Sequence, residues 1–132
     1  KGYNVSYSGV KTAFLNFIRN QENKSPNFIS ENLNDICASL QYTLIKIILI
    51  KIEKIVADLN VSQIVIGGGV SANSELRKQL KNLSSLKKWN LFLPPVEYTT
   101  DNAAMIGIAA YFKLKKKRFG ELTEICKPRL II

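Results

Sequence analysis

The chain contains no histidine. That absence removes several kinds of chemistry at once. Neither a Ser-His-Asp or Cys-His nucleophile system nor a histidine-ligated metal can be completed from its own residues. The zinc-peptidase signature HExxH is excluded for the same reason. Cysteine is nearly as scarce: Cys37 and Cys126 are the only two, without CxxC spacing, so neither a zinc ribbon nor a disulfide scaffold is signalled. A reducing, cytoplasmic setting suits such a chain. Long apolar runs are missing too. The most hydrophobic stretch, Leu44 to Ile55, is interrupted by Lys46, Lys51, Glu53 and Lys54 and does not read as a membrane span. There is no signal peptide and no initiating methionine, and the first residue is Lys1, so a fragment or processed product is expected.

What is present is enough for one modest domain: 132 residues, 46 % of them apolar. Lysine and arginine number 19 against 10 acidic residues, a net charge of +9. Such a field favours polyanions, nucleic acid before anionic membrane, and says nothing about fold. A Lys-, Ile- and Asn-rich chain also arises from coding bias, so charge alone leaves the partner open.

Patterning gives an α/β layout. Asn4 to Tyr7 reads as a short strand, followed by a helix from Ser8-Gly9 to about Asn20 with Val10, Phe14, Phe17 and Ile18 on one stripe. After a polar loop, Ser30 can cap a long helix to about Leu59, with Leu33, Ile36, Cys37, Leu40, Leu44, Ile48, Ile52, Ile55 and Val56 inward. Its middle is apolar nearly all round, which predicts a central, mostly buried helix. Val61 to Ile66 is a β-branched strand ending in glycines. A helix over about 72–89 follows, with Leu76, Leu80, Leu83 and Leu86 inward and Arg77, Lys78, Lys81, Lys87 and Lys88 mostly outward. Asn90 to Leu93 is a second short strand stopped by Pro94-Pro95. Thr99 or Thr100 caps a last helix to about Arg118, and residues 119–132 form an unassigned tail. So few strands make a marginal sheet, so missing strands are expected upstream of Lys1, and the open edge is a route to self-association.

Three segments carry chemistry. In Gly67-Gly68-Gly69-Val70-Ser71-Ala72-Asn73 a strand enters a turn without side chains and a helix starts at once. Glycines let the backbone approach a ligand, and a helix N-terminus offers free N–H groups and partial positive charge. A tight turn capped by Asn73 or Ser74 is the simpler alternative, but three glycines exceed what capping needs. Gly67, Gly69 and Ala72 also fit the dinucleotide pattern GxGxxA. That pattern wants a carboxylate about 20 residues on, whereas the first one after the next strand is Glu97, so a nicotinamide cofactor is poorly supported. No Gly-Lys-Ser/Thr follows, which excludes a P-loop.

The second segment, Thr99-Thr100-Asp101-Asn102-Ala103-Ala104-Met105-Ile106-Gly107, places Asp101 in the first turn of a helix, where the dipole stabilises a carboxylate. Capping explains it; a metal- or phosphate-facing role is the alternative. Ala103, Ala104, Gly107, Ala109 and Ala110 give this helix a thin face suited to close packing. The third segment is Tyr7-Ser8-Gly9-Val10-Lys11-Thr12, where Ser8 reads as an N-cap and Lys11 opposes the dipole. Lys113, Lys115, Lys116, Lys117 and Arg118 match the dipole at the end of the last helix and, with the cations of the 72–89 helix, leave a polyanion surface open.

Taken together, VSYSGVKTA, IVIGGGVSAN and YTTDNAAMIG resemble motifs of the tRNA threonylcarbamoyl transferase family TsaD, formerly called glycoprotease or O-sialoglycoprotein endopeptidase. The likeness spans nearly the whole chain. It implies the C-terminal part of an ASKHA fold (actin, sugar kinase, Hsp70) whose sheet is incomplete here. The implied activity moves the threonylcarbamoyl group of threonylcarbamoyl-adenylate to the adenine following the anticodon of tRNAs reading ANN codons. The resemblance makes Asn73 an adenylate-binding residue, with Gly67, Gly68, Gly69 and Ser71 beside the nucleotide. Asp101 becomes a ligand of one divalent metal per full-length subunit, iron before zinc, which would polarise the carbamoyl oxygen. Implied partners are tRNA and TsaB-like and TsaE-like subunits, in the cytoplasm and without a membrane. No role follows for Ser8 or Lys11.

The departures are as informative. The family's HxxxH metal ligands and an SGGHT-like loop belong to its N-terminal half and are absent here. The chain should therefore be catalytically silent alone. Two other readings remain: a noncatalytic ASKHA paralogue of the TsaB kind, which need not keep Asn73 and Asp101, and a basic RNA-binding module, for which no RNA-binding signature is present.

Overall fold

The computed structural model describes residues 2–121 and 123–125; Cys126 and most of the tail lie outside them. The first helix, α1 (Tyr7–Glu22), begins earlier than its sequence suggests. Ser6, not Ser8, is the N-cap: its Oγ accepts from the Gly9 N–H at 3.2 Å. The strand expected over Asn4 to Tyr7 does not form. No neighbouring strand pairs with the segment among the described residues, and Ser6 turns its hydroxyl and carbonyl to the start of α1 instead. Residues 2–3 are tied to the second helix by Lys51 Nζ donating to the Gly2 carbonyl (2.7 Å) and the Tyr3 hydroxyl donating to Asp58 Oδ2 (3.1 Å).

That second helix, α2 (Phe28–Leu59), has Asn27 rather than Ser30 at its cap; Ser30 lies inside and its hydroxyl donates to the Asn27 carbonyl. It is kinked at Asn32 (φ −122°, ψ 18°), where the side-chain amide donates to the Phe28 carbonyl. An edge-to-face pair, Phe17 with Phe28 at 6.0 Å, joins α1 to the start of α2. Asn60 ends α2 in the left-handed conformation.

Two three-residue strands follow in the expected order, β1 (Gln63–Val65) and β2 (Asn90–Phe92), separated by helix α3 (Ser74–Lys87). They pair in parallel, Ile64 opposite Leu91, so β1–α3–β2 is a minimal βαβ unit. The chain is thus a mixed α/β structure with a two-stranded parallel sheet. The core lies where α2 and α3 meet it. Ile45, Leu76 and Leu80 are buried together, surrounded by Ile48, Leu49, Ile52, Ile66, Leu91 and Leu93, and Ile64 is buried in β1.

The expected central, buried long helix is only partly realised. Ile45 is its one buried residue among those described, while Leu33, Tyr42 and Ile50 are exposed, as is Cys37. The all-round apolar middle of α2 has more surface than α1 and α3 can cover. Leu86, expected inward on α3, is exposed because it lies at the helix's last turn, beyond the core. The last helix, α4 (Ala103–Lys115), is capped by Asn102 rather than Thr99 or Thr100 and ends before Arg118. Every residue of α4 is exposed, Ile106 at 70 %, so its thin Ala/Gly face meets no close neighbour among the described residues. No described helix is long and apolar enough to cross a membrane.

Candidate functional site

In a parallel pair both strands leave by the same edge, and here each exit carries one of the motifs. From β1 the chain runs through Gly67 and Gly68 into a 3₁₀ turn, Gly69–Ala72, and then into α3. Gly68 has φ +85° and ψ 168°, a region open essentially to glycine alone. Gly67 and Gly69 have no such backbone need, and a Cβ added at any of the three would meet nothing within 4 Å. Two glycines thus lack an internal reason, and open space lies in front of the turn.

Asn73 closes the turn and caps α3. Its Oδ1 accepts from the Leu76 N–H at 2.9 Å, which leaves the Nδ2 donors without an acceptor among the described residues. Beyond it, the first N–H groups of α3 point out of the helix end. Ser71 differs from its neighbours. It is 1 % exposed and its Oγ has no partner among the described residues, so its side chain is shut inside the turn. An unpaired buried hydroxyl costs on the order of 1–3 kcal/mol.

Asn73 and Val70 line one side of a groove of about 420 Å³, and Tyr7 of the first motif lines it too. The rest of the wall is Cys37, Leu40, Gln41, Leu44, Ile45 and Ile48 from α2, with Leu76 from α3. The groove is mostly apolar, with a few polar groups at Tyr7, Gln41 and Asn73, the general make-up of a small-molecule site. Two of the three motifs therefore meet here. Ser8 and Lys11 do not line it. Ser8 is exposed, and its carbonyl accepts from Thr12 Oγ1.

From β2 the chain passes Pro94-Pro95 and a 3₁₀ turn, Val96–Tyr98, to Thr99. Thr99 is 3 % exposed and its Oγ1 donates to the Val96 carbonyl at 2.6 Å, locking the turn that presents Asp101. Asp101 precedes the Asn102 cap and so stands outside α4, not in its first turn as expected. It is exposed. The cap is supplied by Asn102 Oδ1, which accepts from the Met105 N–H at 3.0 Å, so Asp101 has no capping duty. Among the described residues no group of three His, Cys, Asp or Glu converges to hold a metal. The described residues alone therefore do not complete a metal site; Asp101 is a single donor.

Sequence reasoning missed Tyr7, Gln41 and Arg77. The first two belong to the groove only through the crossing of α1 and α2, which periodicity does not reveal. Arg77, expected outward, is half-buried and turned back onto backbone carbonyls. A cation so near a helix start works against the dipole, and that was the legible signal of a specific partner.

The geometry defines a class: a parallel α/β unit with a glycine turn, a helix N-terminus and a mostly apolar groove beside it. The comparisons with known proteins narrow it. Residues 1–108 match the family model TsaD, tRNA N6-adenosine threonylcarbamoyltransferase. A curated protein of that name from Christiangramia forsetii is 48 % identical over 128 residues, covering 97 % of this chain and 38 % of the relative. Another from Riemerella anatipestifer is 43 % identical, covering 98 % of the chain and 38 % of the relative, and one from Mesoplasma florum 45 %, covering 86 % and 35 %. The chain belongs to the TsaD family. It spans a little over a third of the length of these relatives.

Proposed function

We propose that this chain is the C-terminal portion of an ASKHA-fold transferase that moves the threonylcarbamoyl group from threonylcarbamoyl-adenylate to the adenine following the anticodon of ANN-decoding tRNAs. The observation that carries the reading is the groove beside the glycine turn, where Tyr7, Val70 and Asn73 meet. The name its relatives share, tRNA N6-adenosine threonylcarbamoyltransferase, supports the transferase part of it. The basic end of α4 and the exposed lysines of α3 offer phosphate contacts to the tRNA. The bare apolar surface of α4 awaits the rest of the fold, and TsaB-like and TsaE-like subunits complete the assembly in the cytoplasm.

In the reaction, the exocyclic amine attacks the carbamoyl carbon. A C–N bond forms, the C–O bond to the phosphate breaks, AMP leaves and the amine loses a proton. Negative charge grows on the departing phosphate. The N–H groups at the start of α3 and the side-chain-free turn at Gly67, Gly68 and Gly69 meet that charge with fixed dipoles. Asn73 orients the nucleotide through its free Nδ2 donors, and the apolar wall of the groove excludes water around it. Asp101 supplies one metal ligand in the full-length protein, iron or zinc, and the remaining ligands come from residues this chain does not contain. No step is routed through that ion, since the described residues alone do not hold it.

The test is transfer by the full-length protein with its partner subunits, read by mass spectrometry of tRNA nucleosides. Wild type forms threonylcarbamoyladenosine and Asp101→Ala does not. Unchanged modification by Asp101→Ala overturns the metal-ligand assignment, and no transfer by wild type overturns the reading itself.

A further inference from the structure

The glycine turn and the loop after β2 leave the same sheet edge, and one side chain spans them. Arg77 Nη1 donates to the Ser71 carbonyl at 2.9 Å, and Nη2 donates to the Pro94 carbonyl at 2.7 Å. Its backbone N–H makes the first helical bond of α3, to the Asn73 carbonyl at 3.0 Å, which fixes the side chain's origin beside the turn. The ladder between the strands finishes with Ile66 N–H to the Phe92 carbonyl. Beyond it, among the described residues, the guanidinium is the only hydrogen-bonded link between the two loops.

The residue type matters. A guanidinium presents several donors in a rigid plane and can reach two acceptors at fixed angles, whereas an ammonium is a point charge. Arg77 takes part in none of the salt bridges among the described residues, and its position in the first turns of α3 opposes the helix dipole. A leucine or alanine would serve the helix better. The two carbonyls are the evident reason for an arginine here.

We propose that Arg77 is a positioning residue of the transfer site. It sets the separation between the glycine turn, which carries Asn73, and the Pro94 loop, which leads to Asp101. This rests on the adenylate reading above. Loosening the clamp lets the two walls move independently, so the pocket loses affinity for the adenylate even where the protein stays folded.

The experiment is calorimetric titration of the full-length protein with a non-hydrolysable analogue of threonylcarbamoyl-adenylate, recording affinity and number of sites separately. Arg77→Met keeps the aliphatic stem and removes both donors; its dissociation constant should rise roughly tenfold at an unchanged number of sites. Arg77→Lys, which reaches one carbonyl, should fall between Met and wild type. A purely structural role predicts the opposite pattern: fewer sites at wild-type affinity. That result, or wild-type affinity in Arg77→Met, overturns the proposal. Should Arg77→Met fail to fold, Arg77→Lys decides, and wild-type affinity there overturns it too. Absence of binding by the wild type instead defeats the adenylate reading on which the clamp depends.

Discussion

On the proposed reading Asn73 does two jobs with two different atoms, and substitution can separate them. Its Oδ1 caps α3 by accepting from the Leu76 N–H, while its Nδ2 is free for a ligand. Replacing an Asn cap by alanine costs about 0.5–2 kcal/mol, whereas aspartate caps as well as asparagine. Asn73→Asp therefore keeps the stability of the wild type, and Asn73→Ala loses about 1 kcal/mol. Ligand binding should follow a different order. Alanine forfeits a hydrogen bond of about 0.5–1.5 kcal/mol, roughly a three- to tenfold loss of affinity. Aspartate forfeits the same bond and would set a negative charge against the phosphate of the proposed adenylate, so its loss is the larger, at least about tenfold. The ranking is wild type, Asp, Ala in thermal unfolding, and wild type, Ala, Asp in calorimetric titration of the full-length protein with the adenylate analogue. If both variants track one another in the two measurements, or Asn73→Asp binds like wild type, the division of labour at this residue is wrong.

The glycines should separate in the same way. Gly68→Ala forces a Cβ into a backbone region that side chains rarely adopt and costs on the order of 1–3 kcal/mol in denaturant unfolding; Gly67→Ala and Gly69→Ala leave stability unchanged or slightly raised but weaken adenylate binding by filling the open space. Leu80→Ala removes a side chain 1 % exposed in a very small core, and chemical denaturation of the 132-residue chain should register a loss of about 2–5 kcal/mol, against under about 0.5 kcal/mol for Leu86→Ala at 79 % exposure. The surface network of Tyr3, Lys54 and Asp58 predicts a pH dependence. The hydrogen bond from Lys54 is the first cause holding Asp58 below its ordinary value, and the same bond raises Lys54. The Asp58 contribution is present above the ordinary carboxylate range and lost as pH falls through its lowered value; the Lys54 contribution is lost only as pH rises through its raised value. Asp58→Asn should therefore flatten part of the acid limb of a stability–pH curve and leave the neutral region level; an unaltered acid limb would refute the network.

Much of this was legible from residues alone, for identifiable reasons. The strand, glycine turn and helix at 63–87 combine a β-branched run, glycines and a strong cap, signals that agree with one another. The motif carrying Asp101 was also legible, but not its position. Three consecutive polar residues, Thr100, Asp101 and Asn102, compete for the cap, and only the bond from Met105 decides for Asn102. Asn4 to Tyr7 reads as strand because alternation is a local signal, while strand formation needs a partner. Ser71 was placed beside the nucleotide by the resemblance alone, and its burial was not legible because the 3₁₀ turn that rotates it inward has no clear sequence signature. The burial of α2 and α4 was overestimated for a different reason. Their apolar residues are compatible with a larger core than these 132 residues build, and a chain covering 38 % of its relatives supplies only part of that core.

On the proposed function, this chain forms one wall of an adenylate site and not a complete one. The most direct measurement compares the purified 132-residue chain with the full-length protein, each given threonylcarbamoyl-adenylate, tRNA and the partner subunits, and quantifies threonylcarbamoyladenosine in the recovered tRNA. Product from the full-length protein and none from the chain is the expected result. Product from the chain alone, or none from either, contradicts the account.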